Sequence, residues 1–178
     1  MGSLSKREID RILAWGQMLS DPEITTILDE FQEEQPEIYR AIYGELSDAI
    51  AEENPEMAKL FLELCFDIIW IYRKAFDKPP VAPGGEEWTL DSLTLLNSEL
   101  QSLSDDVPMD KAFRSRLQQR FVQRSIESGL QIDLLHYLDK ETRKYASFKR
   151  KRRAAIEITN NFLFLVVRLM DDLYGRNK

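Results

Sequence analysis

Residues 55–76, PEMAKLFLELCFDIIWIYRKAF, constrain the fold more than any other stretch of the chain. Wound as a helix, Met57, Leu60, Phe61, Leu62, Leu64, Cys65, Phe66, Ile68, Ile69, Trp70, Ile71 and Tyr72 cover almost the whole barrel. Only Lys59, Glu63 and Asp67, at i+4 steps, leave a thin polar stripe. A helix that is apolar nearly all round has no broad face to give to water, so other helices must surround it. The run is not a convincing membrane span, because Glu63 and Asp67 interrupt it. The other apolar run, FLFLVV at 162–167, ends at Arg168 and falls short of the roughly 20 apolar residues a bilayer needs. The expected fold is therefore an all-α, single-domain helical bundle of six to seven helices around a buried central helix at about 55–76.

Helix starts are written clearly in the first half. Ser5 to Glu8, SKRE, is a capping box: a hydroxyl for the orphan amides and a Glu reaching back. It predicts a first helix from about Lys6 to Leu19. SDPE (20–23), QPE (35–37) and NPE (54–56) each place Pro in a first helical turn, followed by Glu at the positive helix end. Ile24, Ile27, Leu28 and Phe31 give a second helix its apolar face. Ile38, Ile42, Leu46 and Ile50 give a third an i, i+4 stripe.

The main break is DKPPVAPGGEE, residues 77–87, whose prolines and glycines forbid a helix. It divides the expected domain, residues 1–178, into an acidic N-terminal layer (1–76), a linker (77–88) and a basic C-terminal layer (89–178). Beyond it, Thr89 reads as a cap with Trp88 stapled onto Leu93, and a basic helix spans about 109–128 up to Gly129. From Leu134 a seam runs through Leu138, Glu141, Tyr145, Phe148, Arg152, Ala155, Thr159, Phe162, Val166, Leu169 and Leu173 without Pro or Gly. An unbroken helix over about 131–174 would reach about 65 Å, against a diameter of roughly 40 Å for a compact chain of this size. The expectation is a long amphipathic C-terminal helix or a helix pair, with a break near 147–151.

Net charge is −7, split unevenly: residues 1–106 carry 8 Lys and Arg against 23 Asp and Glu, and residues 107–178 carry 16 against 8. Two readings follow. The halves neutralise each other within the molecule or across a dimer, or the basic half meets an anionic partner. Arg116, Arg120 and Arg124 share a helical face. Lys149, Arg150, Lys151, Arg152 and Arg153 follow in one run, and since five consecutive helical residues wrap the barrel, they form no single groove-reading face. The anion-binding candidates are Arg116, Arg120, Arg124, Lys149, Arg150, Lys151 and Arg153.

Catalytic motifs are scarce. Cys65 is the one cysteine and His136 the one histidine, far apart in sequence. Cys65 reads as a core residue, and a disulfide-free chain without an N-terminal apolar signal points to the cytoplasm. Asp133, His136 and Asp139 at i+3 steps lack the second histidine a di-iron site needs. The weak metal alternative is Glu45, Asp48, Glu63 and Asp67, acidic pairs on neighbouring helices that a magnesium-dependent all-α nucleotide hydrolase would use. No catalytic residue, metal site or cofactor is otherwise expected. The first functional reading is a non-enzymatic interaction or regulatory module, self-associating or bound to a protein partner. Nucleic-acid or phosphate binding is the second and nucleotide hydrolysis the third.

Overall fold

The computed structural model describes residues 2–77, 85–128, 130–146 and 153–175, which form helices and connecting turns with no strand among them. The first helix, α1 (Lys6–Gly16), starts as its capping box dictates: Ser5 N donates to Glu8 Oε2 at 2.9 Å and Glu8 N to Ser5 Oγ at 3.4 Å. It ends at Gly16, short of the expected Leu19. Gly16 lies against Trp70, where an added Cβ would stand 3.1 Å from the indole ring. Helix α2 (Asp21–Glu34) opens with Ser20 N donating to Glu23 Oε2 at 2.8 Å.

Residues 36–53 form one rod: α3 (Pro36–Arg40), a π-helical turn (Ala41–Leu46) and α4 (Ser47–Glu53). The π turn has a physical reason in the sequence. Residues four apart drift by about 40° per step in an α-helix. The wider i→i+5 winding takes that drift back, so Ile38, Ile42 and Ile50 are all buried on one side.

The central helix, α5 (Pro55–Phe76), has the expected bounds, with Asn54 Oδ1 accepting from Glu56 N at 3.0 Å and Met57 N at 3.1 Å. It buries eleven residues against α4, α1 and the last helix, α9 (Arg153–Tyr174). Trp70 Nε1 donates to the Ile12 carbonyl at 3.0 Å, fixing α1 across α5. Tyr72, Phe76 and Tyr174 cluster where α5 meets α9, with ring centroids 5.4–6.1 Å apart. The centre of the bundle is thus a pair, α5 with α9.

Helix α6 (Gly85–Gln101) begins earlier than expected. Trp88 and Thr89 lie within it rather than at a cap, and Thr89 is buried. Glu86 and Glu87 occupy its first turn, where they favour the positive helix end. Helix α7 (Lys111–Ser128) is capped by Asp110 Oδ1, which accepts from Ala112 N and Phe113 N, both at 3.0 Å. Gly129, its expected stop, lies outside the described residues.

The long C-terminal pattern is a helix pair. Helix α8 (Ile132–Ala146) packs back on α9. Asn160 Nδ2 donates to Asp139 Oδ1 at 2.9 Å across 21 positions that one straight helix would hold about 32 Å apart. The expected break at 147–151 lies outside the described residues. Folding back also shifts the seam: Thr142 and Ala146 are buried, while Glu141 is half-buried and Tyr145 exposed.

Candidate functional site: the outer face of α7 and its charged underside

Of the expected anion-binding arginines of α7, Arg120 and Arg124 reach carboxylates on its inner side. Glu99 of α6 is buried, at 1% exposure. Arg120 Nε donates to its Oε1 at 2.9 Å, and Arg124 Nε stands 3.6 Å from its Oε2. Arg124 also pairs with Asp172 near the end of α9. A buried carboxylate is stable only with its charge matched and hydrogen-bonded, so these two arginines clamp α7 onto α6 and α9. Arg114, one turn earlier, donates to the carbonyls of Ser102, Ser104 and Val107, satisfying orphan acceptors beyond the end of α6. Gln118 Nε2 donates to the Ser102 carbonyl at 2.8 Å.

Arg116 is exposed, and Arg153 pairs with Glu157 at 3.0 Å one turn along α9. Lys149, Arg150 and Lys151 lie outside the described residues, as does Arg152. The structure therefore brings Arg120 and Arg124 together on Glu99, an acid of the acidic segment 1–106 held by cations of the basic segment 107–178.

The acidic quartet does not converge. Among the described residues no group of three or more His, Cys, Asp and Glu side chains is placed to hold a metal ion. Glu45 lies in the π turn, Asp48 in α4 and Glu63 in α5, all exposed. Asp67 turns to α8, where it accepts a hydrogen bond from the Tyr137 hydroxyl at 2.7 Å. Burial pushes its pKa up to about 6, the Tyr137 bond opposes the rise, and the charges of Glu141 and Glu63 add to it. Asp133 accepts from the Lys6 amide at 2.8 Å, Asp139 holds Arg143 and Asn160, and His136 is exposed. Cys65 is fully buried, and burial raises its thiol well above the ordinary range.

Two features escape the sequence reading. The first is a polar knot in the core. Arg168 is 1% exposed, its Nη1 is 3.8 Å from Asp171 Oδ2, and the Tyr72 hydroxyl donates to Asp171 Oδ1 at 2.6 Å. Burial lifts Asp171 to about 7, opposed by the bond from Tyr72 and the charge of Arg168. The signal was available: Arg168 and Asp171, at i+3, fall inside an apolar helix face.

The second is on the outer side of α7. Ser115, Gln119, Val122 and Ile126 follow at spacings of 4, 3 and 4, which places them in one row. Val122 is 55% exposed and Ile126 72%, with Phe113 also exposed near the start of the helix. Arg116, Gln123 and Glu127 flank the row. An apolar centre inside a polar rim is the composition of a recognition surface. The arginines, which set the helix's basic character, mask this row in the sequence. Comparison with protein-family models, with curated proteins and with solved structures finds no match to this chain.

Proposed function

We propose that this chain is a non-enzymatic helical interaction module that recognises a protein partner through the outer face of α7. The observation that carries the reading is the pair Val122 and Ile126, stacked one turn apart and largely exposed on a helix whose other side is fastened by Glu99 and Asp172. Their exposed fractions forgo roughly 1–2 kcal/mol each relative to burial, which a partner recovers. The rigid clamp beneath the row lowers the ordering cost of docking. Cys65, buried as a free thiol, supports a reducing, cytoplasmic setting. No described helix is long and apolar enough to cross a membrane.

A photo-crosslinking amino acid at position 122 or 126 tests the reading. Discrete adducts from these two positions, and none from the same group at the exposed Lys59 of α5, are the expected result. Equal labelling at all three, or none at 122 and 126, refutes it.

A further inference from the structure

The charge pattern of the chain identifies what the α7 face accepts. Residues 111–126 hold five Lys and Arg and no carboxylate. Arg114, Arg120 and Arg124 are engaged on the underside. That leaves the exposed Lys111 and Arg116 for the outer side, with Glu127 following Ile126. Residues 12–39 hold seven Asp and Glu and no Lys or Arg. That acidic stretch has its own exposed apolar pair. Trp15 near the end of α1 is 47% exposed and Met18, in the turn before α2, is 76% exposed. Met18 N donates to the Trp15 carbonyl at 3.2 Å, so the two share one corner. Arg11 lies over the Trp15 ring at 5.4 Å. Asp21 and Glu23 follow at the start of α2, both exposed. Within one molecule α1 packs on α5 and α8, while α7 packs on α6.

We propose that the occupant of the α7 face is a second copy of this chain. It docks by the corner formed by Trp15, Met18, Asp21 and Glu23. The inference rests on the reading of α7 as a recognition surface and names its partner. Apolar side chains meet at the centre, Trp15 and Met18 against Val122 and Ile126. Around them Asp21 and Glu23 face Arg116 and Lys111, which steers the encounter and makes it salt-sensitive. The two surfaces differ, so the contact is heterologous: it occurs twice in a two-fold dimer or repeats head to tail.

Sedimentation velocity of the purified protein at rising concentration, in low and in high salt, is the test. The expected result is association that strengthens with concentration and weakens with salt. Met18→Lys and Ile126→Glu, both at exposed positions, each raise the dissociation constant about tenfold or more. Circular dichroism confirms that each variant is folded. Because each variant keeps the surface the other has lost, mixing them restores a complex of one copy of each. A monomer at all concentrations overturns the proposal, as does association indifferent to Met18→Lys, or a mixture that stays monomeric. If position 122 crosslinks a different protein while the purified chain remains monomeric, this inference fails and the reading of α7 stands. If position 122 yields no specific adduct at all, both fail.

Discussion

Asp67 places a pH dependence in a single side chain. Its carboxyl rises from 3.8 to about 6 on folding, so the folded state binds the proton more tightly than the unfolded one. Stability from this group is therefore greatest below the unfolded value and is lost as pH rises through about 6. Asp67→Asn keeps an acceptor for Tyr137 and removes the charge. It is expected to abolish that fall and to stabilise the neutral-pH protein by about 1–3 kcal/mol, read by denaturant titration on either side of the window. At this scale the sequence was half legible. Asp67 and Glu63 stood out as acids on an apolar helix, but sequence spacing does not reveal which of them turns inward, and only Asp67 finds Tyr137. Arg168 read as the end of an apolar run because buried arginines are rare. Its counter-charge is Asp171 three residues on, an aspartate that also accepts a hydrogen bond from Tyr72 of the far helix α5.

Among elements, the crossing of α1 over α5 depends on one glycine. Alanine is ordinarily the better helix residue by about 1 kcal/mol. At Gly16 the sign should reverse, because the new Cβ meets the Trp70 ring at 3.1 Å and the ring is held by its bond to the Ile12 carbonyl. Gly16→Ala is expected to destabilise by about 1 kcal/mol and to alter tryptophan fluorescence in the folded state, both measured in one denaturation series. Element starts were legible at Ser5, Ser20 and Asn54, where a side chain closes the first turn, while Asp110, which closes that of α7, was not read as a cap. The start of α6 was not legible either, because its first turn, Gly85 to Glu87, lies inside a stretch whose prolines and glycines read as a linker. The α8–α9 pair was legible only as an excess of length: the 3–4 periodicity of the sequence runs on from one helix into the other, and the fold-back shows first in the Asp139–Asn160 bond.

Across the whole molecule, the acidic segment 1–106 and the basic segment 107–178 meet at Glu99. Its carboxylate holds Arg120 and Arg124 from beneath α7. Glu99→Gln removes that anion without removing a cation. The variant is expected to elute from heparin at higher salt than the parent, while the parent's own retention is slight. Equal elution of the two would mean that Glu99 does not restrain these guanidinium groups. The bundle architecture was legible because α5 admits no other environment. The α7 row was hidden because exposure is a property of the assembled bundle, and Val122 and Ile126 read equally well as core positions.

The pairing of α5 with α9 also sets an order of events during synthesis. Tyr72 and Asp171 are 99 residues apart. A ribosome adding roughly 5–20 residues per second completes α5 about 5–20 s before its partner emerges. Throughout that interval the most apolar helix of the chain has α1 and α4 beside it but lacks the helix that closes the core. Nascent chains stalled before residue 153 should therefore engage chaperones that full-length chains escape.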